Sequence, residues 1–252
     1  MAKKNYFCGS NVRIFFNFRY TMADKIKQGE QDPEVAIQSA IGKTENFIME
    51  NGKSLLTALV VVVVVVCGFF GYKYLVAEPR AEKAAAMMFV AQQQFAVDSF
   101  ALALNGDGNN AGFLQVIDKY GSTPEGNLAK HYAGICYLRM GDLQNALSYL
   151  KQYKASGEIP GALVTAQNLG LQGDVLSQQG NYKEAVALYE KAVKASDNVL
   201  TAPYYLKKAG LTYEKLGDNA KALAAYKTIQ TDYAVSMEAR DIQKFIGRLE
   251  QL

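Results

Sequence analysis

The sequence predicts an all-α protein: a single transmembrane helix, then a solenoid of helix–turn–helix repeats, closed by a C-terminal capping helix. Three observations carry this. Leu55–Tyr72 is an uncharged run of 18 residues with seven consecutive valines, Val60–Val66. Arg80–Leu104 lacks Pro and Gly and is rich in Ala, Gln and Met, the pattern of one long helix. Beyond Asn127, three blocks repeat the same small residues in the same register.

The chain opens on a tail, residues 1–54. Met1–Thr21 holds Lys3, Lys4, Arg13 and Arg19 and no acid, so the basic excess behind the +3 net charge sits there. Its aromatic residues follow no period, whereas Met22 begins a stretch that reads as a soluble N-terminus. This fits a start codon assigned too far upstream, which a mature N-terminal peptide beginning within Lys3–Arg19 would exclude. Asp32 and Pro33 form a helix-start signal, and Ile37, Ala40, Ile41, Thr44 and Ile48 fall on one face. A short interfacial helix over 33–49 and a partly ordered tail both fit.

The predicted span is 55–77. At 1.5 Å per residue, its 18-residue core reaches ~27 Å, and Leu75–Ala77 brings it to the bilayer thickness. Lys53 and Lys73 flank it, with Phe69, Phe70, Tyr72 and Tyr74 as an interfacial belt. A buried strand is never this long. A cleaved signal would lie nearer the N-terminus, and Val65–Val66 before Cys67 do not make a lipid-attachment site. Gly68 and Gly71 allow a neighbouring helix close to the backbone, although glycines facing lipid are also common. Lysines and arginines stand on both sides of the span, so charge alone leaves topology open.

Residues 79–126 read as the long helix, a loop at Asn105–Gly112 and a short helix at Phe113–Tyr120, together a degenerate first repeat. Over 127–235, three blocks align on Gly141, Gly180 and Gly217. Seven residues earlier stand Gly134, Gly173 and Gly210; five later stand Ala146, Ala185 and Ala222. Large residues occupy the positions nine after (Leu150, Tyr189, Tyr226) and four before (Tyr137, Leu176, Tyr213). The anchor glycine ends the first helix in a left-handed conformation, and the following Asp142, Asn181 or Asp218 caps the second. The small residues let two helices approach, and the large ones fill the wedge toward the next pair. Residues 236–252 form the capping helix, with Ala239, Ile242, Phe245, Ile246 and Leu249 on one face.

These blocks resemble the tetratricopeptide repeat, with longer spacings of 39 and 37 that imply extended loops at Ser156–Ala162 and Ser196–Ala202. Lys130, Leu169 and Leu206 replace the opening aromatic, and Glu158, Asp197 and Ala234 the closing proline. The resemblance implies a concave protein-binding groove on the first helices: His131, Ile135 and Arg139; Gly170, Asp174 and Gln178; Lys207, Leu211 and Lys215. It reads as polar and shallow, with an exposed His131. Asn is absent at Ile135, Asp174 and Leu211, which disfavours a clamp for C-terminal carboxylates.

Function classes fall away in turn. The chain beyond residue 21 balances 23 basic against 24 acidic side chains, which disfavours nucleic-acid binding. Three distant cysteines (Cys8, Cys67, Cys136) and one histidine exclude zinc fingers, disulfide scaffolds and His-centred triads. Cys136 reads as packing, Glu184–Glu190 and Glu214–Asp218 as solvated faces or caps, and Gly106–Gly108 as a plain loop. The expectation is no enzyme, no metal, no cofactor and no small-molecule substrate.

The whole layout resembles the bitopic tetratricopeptide-repeat ancillary subunits of the bacterial SecYEG translocon. That resemblance implies a single-pass inner-membrane protein with a cytoplasmic N-terminus and a periplasmic repeat domain. It implies as partners the channel, a periplasmic chaperone and translocating polypeptides. A generic cell-envelope scaffold for division or outer-membrane assembly is the alternative.

Overall fold

The computed structural model describes residues 33–155 and 161–251, with side chains from residue 49 onward. The readings made for residues 1–32 and for Glu158 lie outside these. The chain divides into two units, one up to Phe70 and one from Gly71.

Helix α1, Pro33–Tyr72, is 40 residues long, and all but its last two residues fall in the first unit. The stretch over 33–49 is therefore the beginning of this helix rather than a separate interfacial one. Every residue from Leu55 to Phe70 is exposed, the valine run included. A helix apolar all round and unburied is costly in water and suited to lipid, and it is long and apolar enough to cross a membrane.

In the second unit a five-residue π-helical stretch, Lys73–Ala77, leads into α2, Glu78–Ala96. Pro79 explains it. Proline has no N–H to donate four residues back, and the preceding turn widens so that Glu78 N–H reaches Lys73 O instead.

The single helix expected over Arg80–Leu104 is interrupted. α2 ends at Ala96 and α3 covers Phe100–Asn105. Between them Asp98 takes φ +57°, and the chain closes by Asp98 N–H to Phe95 O (3.1 Å) and Ser99 N–H to Gln94 O (2.9 Å). This is a Schellman closure with aspartate in the place that glycine usually takes. Ala91, seven before Asp98, and Ala103, five after, are both buried. Asp98 thus anchors a fourth copy of the small-residue register, ahead of the three legible in the sequence.

After α4 (Phe113–Tyr120), the first full pair is α5 (Pro124–Arg139) and α6 (Leu143–Gln152). α5 starts three residues before Asn127, because Thr123 caps it by accepting from Gly126 N–H and Pro124 fits its first turn. The second pair is α7 (Gly161–Gln178) with α8 (Tyr182–Ala195), and the third α9 (Ala202–Lys215) with α10 (Asn219–Asp232). α11, Ala239–Glu250, closes the stack and buries Ile242, Ile246 and Leu249.

Each pair turns at its anchor glycine, with φ of +84° at Gly141, +81° at Gly180 and +75° at Gly217. Asp142 and Asp218 accept from the N–H three residues on, whereas the Asn181 side chain makes no such bond. Within each pair the early glycine seats the later large residue. A Cβ on Gly134 would lie 2.6 Å from Leu150 Cγ, on Gly173 2.7 Å from Tyr189 Cε1, and on Gly210 2.3 Å from Tyr226 Cε1. These large residues therefore sit on a glycine of their own pair and also face the next element, Tyr189 meeting Lys208 and Tyr226 meeting Phe245.

Two sizeable cores result. One joins Met88, Ala91, Ala103, Leu104, Phe113, Val116 and α5 residues Ala129, Ala133 and Cys136. The other runs from Ala166 to Leu249 across α7–α11. Between them lies a small cluster of Ala146, Leu150 and Val175.

Candidate functional site

The first helices of successive pairs, α5, α7 and α9, line a groove of about 1070 Å³, to which α2 adds Phe95 and α8 adds Tyr189. Its walls carry Leu128, Tyr132, Ile135, Leu138, Val164, Leu171, Tyr204 and Tyr205. Polar groups nevertheless make up most of the exposed lining, as expected of a polar groove. Gly170 contributes no open floor. It is buried, and a Cβ there would lie 2.0 Å from Tyr205 Cε1, so it serves as the socket for a ring from the next repeat.

His131 was expected to be exposed and is instead 2% accessible, at the base of the groove. Asn168 Nδ2 lies 3.1 Å from its Nδ1, and Gln167 Oε1 lies 3.3 Å from its Nε2. An imidazole protonated on Nε2 alone satisfies both, accepting from Asn168 and donating to Gln167. Burial pulls its pKa down to about 4, with the Gln167 hydrogen bond opposing. Gln172 then donates to Asn168 Oδ1 (2.7 Å) and reaches toward Leu150 O (3.5 Å). This buried polar chain ties α5 and α6 to α7.

Asp174 stands at mid-groove and is fully engaged. Lys208 Nζ lies 2.7 Å from each carboxylate oxygen, and Tyr189 donates to Oδ1 at 2.7 Å. Burial disfavours the Lys208 charge, yet the Asp174 hydrogen bond and charge hold its pKa above the ordinary lysine value. The Lys208 ammonium also lies 4.7 Å from the Tyr204 ring centre. Tyr204 and Lys208 are shared with a second cavity of about 350 Å³, lined by Lys207, Leu211, Met237, Glu238 and Asp241.

The residues expected at the groove therefore separate. His131, Arg139, Asp174 and Gln178 line the main cavity together, while Lys207 and Leu211 line the second. Lys215 is exposed and lines neither. Lys207 is not a free charge: it pairs with Asp241 of the capping helix at 2.7 Å and lies over the Phe245 ring. Lys208, Tyr204, Tyr132 and Gln167 escaped the sequence reading. Lys208 was within reach, since it lies 34 residues from Asp174, one standard repeat, as do Lys207 from Asp241 and Arg248 from Glu214.

Cys136 is buried, and burial pushes its thiol up to about 12, so it remains protonated packing. Gly68 and Gly71 have open space around them within the first and second unit respectively. Among the described residues no group of His, Cys, Asp and Glu is arranged to hold a metal ion.

Two family models match, both described as tetratricopeptide repeat, over residues 127–198 and 171–239. No curated protein matches the chain. Among solved structures, the nearly identical TPR-like repeats of a Podospora anserina kinesin light chain candidate match at TM-score 0.53 and 16% identity, covering 68% of this chain and 87% of that one. A single-site variant of the same protein matches at 0.52, also at 16%, covering 68% and 86%. MamA protein matches at 0.45 and 16%, covering 68% and 89%. At 16% identity the likeness to the kinesin light chain repeats is one of fold. Residues 127–239 therefore carry tetratricopeptide repeats, which indicate a protein-interaction scaffold.

Proposed function

We propose that this chain is a membrane-anchored adaptor, an ancillary subunit that links a SecYEG-type channel to periplasmic chaperones or emerging polypeptides. In this reading it sits in the bacterial inner membrane, with the N-terminus cytoplasmic and the repeats periplasmic. The observation that carries it is the succession of elements along the chain: a helix with an apolar stretch long enough to cross a membrane, then a repeat solenoid with an open groove. The anchor restricts the groove to the membrane neighbourhood, where an exported chain and its chaperone are also confined. Effective concentration then makes weak groove contacts sufficient.

Labour is divided accordingly. The span, with Gly68 and Gly71 open to a neighbouring helix, holds the chain to the channel, and the groove engages the soluble-side partner. A generic envelope scaffold for division or outer-membrane assembly shares these elements, and affinity purification in mild detergent separates the two. Recovery of channel subunits supports the translocon reading; recovery of division or cell-wall proteins alone replaces it. Exchanging Leu55–Tyr72 for an unrelated span is expected to weaken channel recovery while the repeats stay folded. Full recovery after the exchange would place channel binding in the repeats instead.

A further inference from the structure

The two ends of the second unit differ. Each of the first helices α2, α5, α7 and α9 runs into a turn, at Asp98, Gly141, Gly180 and Gly217, and returns as a second helix. The turns therefore gather at one end of the stack, and the loops between repeats at the other. Hydrogen bonds join elements at the loop end. Arg80, at the start of α2, reaches Lys119 O at the end of α4 (3.5 Å). Asn127, in the first turn of α5, donates to Lys154 O (2.9 Å) and accepts from Lys154 N–H (2.8 Å) just beyond α6.

The α8–α9 loop belongs to this end and is internally braced. Asn198 Oδ1 accepts from Leu200 N–H (2.9 Å) and Thr201 N–H (3.0 Å), while its Nδ2 donates to Ser196 Oγ (2.8 Å). Thr201 Oγ1 donates to Ser196 O at 2.6 Å, and Ser196 is buried. This polar frame holds two aliphatic side chains outward: Val199 is 48% and Leu200 72% exposed. Tyr233 donates to Asp197 and so ties the α10–α11 loop to the same place, where Val235 is 88% exposed. A braced tip that keeps aliphatic side chains in water marks a surface that enters something less polar.

A lipid surface fits, for a reason of topology. α2 enters the unit at this same end, preceded by exposed Tyr74, Leu75 and Val76 of the membrane-crossing helix. The bilayer that takes those side chains therefore lies toward the loops and away from the turns. The exposed charges agree. Lys119, Lys151, Lys154 and Lys194 stand at the loop end without an ion pair among the described residues. Against them stand Asp118, Asp232 and Asp197, the last already engaged by Tyr233. Lysines of this kind lay their stems over apolar surface and carry the ammonium to lipid phosphates.

Resting on the membrane anchor of the reading above and not on its channel, we infer that the loop end of the solenoid is a second membrane contact. Val199, Leu200 and Val235 enter the headgroup region of the bilayer that the apolar helix crosses, and Lys194, in the last turn of α8, pairs with lipid phosphate. With α2 as one contact and this tip as the other, the repeats no longer swing freely about the anchor, and the groove is held close to the lipid.

The chain contains no tryptophan, so a single introduced indole reports without background. Full-length Leu200→Trp and Val235→Trp are reconstituted in vesicles of phosphatidylcholine and phosphatidylglycerol, with or without lipid carrying a nitroxide near its glycerol backbone. Val97→Trp, at a residue 70% exposed beside the Asp98 turn, is the control from the opposite end. Nitroxide lipid is expected to quench Leu200→Trp and Val235→Trp about twofold and to leave Val97→Trp almost unchanged. Adding Lys194→Glu to Leu200→Trp should reduce the quenching without moving the melting temperature. Equal quenching at both ends, or none at Leu200 and Val235, overturns the inference. A Leu200→Trp emission that shifts to the blue with protein concentration in detergent gives the tip to a second copy instead. A shift that needs co-reconstituted channel subunits gives it to a protein partner; either result also overturns the lipid contact. Vesicle flotation separates the two failures. A chain that floats without quenching at the loop end loses this contact and keeps its anchor, whereas one that does not float loses both.

Discussion

At the residue scale, Gly134, Gly173 and Gly210 each stand where a Cβ would press on the large residue of the same pair. A Cβ at Gly210 meets a rigid ring at 2.3 Å, whereas at Gly134 it meets the side chain of Leu150 at 2.6 Å. Gly210→Ala is therefore expected to cost about 1–3 kcal/mol and to lower the melting temperature more than Gly134→Ala does. Adding Tyr226→Leu to Gly210→Ala should recover part of the loss, a coupling that a double-mutant cycle reads directly. His131 escaped because its partners Gln167 and Asn168 lie 36 and 37 residues away, across a loop of non-standard length. Its burial has a pH signature. The unfolded chain takes up a proton there below about 6.5, the folded chain only near 4, so stability falls as pH drops through that window. The loss approaches roughly 3 kcal/mol at its lower end. Thermal melts between pH 7 and 4.5 should show the decline, and His131→Gln should flatten it.

At the scale of elements, stops signalled by glycine could be read directly, as at Gly141 and Gly180, whereas the start at Pro124 lies three residues before the expected one. The break after Ala96 could not be read, because aspartate rarely takes a left-handed conformation and Asp98 carries no glycine flag. Replacing Asp98 with glycine should stabilise the α2–α3 turn, by about 1 kcal/mol, and raise the melting temperature. Caps also separate under test. Asp142→Ala and Asp218→Ala each remove a bond to the N–H three residues on and should cost ~1 kcal/mol, while Asn181→Ala should cost far less. Equal losses at all three would mean that the residue type, rather than the bond, stabilises these starts. The groove charges were only half legible for a related reason. Lys207 and Asp174 are engaged by residues one repeat away, so charge reversal at Lys207 should loosen the capping helix rather than report on binding.

For the whole molecule, the proposed single crossing is checked by reporter fusions at Leu252, where activity restricted to the periplasmic reporter is expected and cytoplasmic activity would invert the topology. Fold class was readable because length, apolarity and repetition are properties of the chain itself. Curvature and groove chemistry were not, since they depend on which repeat presses on which. The two large cores are not joined by a third of equal size. Among the described residues, Ala146, Leu150 and Val175 with partly buried neighbours such as Leu147 and Leu171, together with the His131–Asn168–Gln172 polar chain, lie between them. The second and third pairs, in contrast, are locked by the Tyr205 ring in its Gly170 socket. A solenoid is a mechanical series, and a series parts at its weakest joint. Mild acid acts on that joint through His131, so hydrogen exchange near pH 4.5 should show α2–α5 and α7–α11 opening as separate blocks. An adaptor pulled between a channel and a moving chain would then yield at one defined fracture plane and re-form there, with both halves still folded.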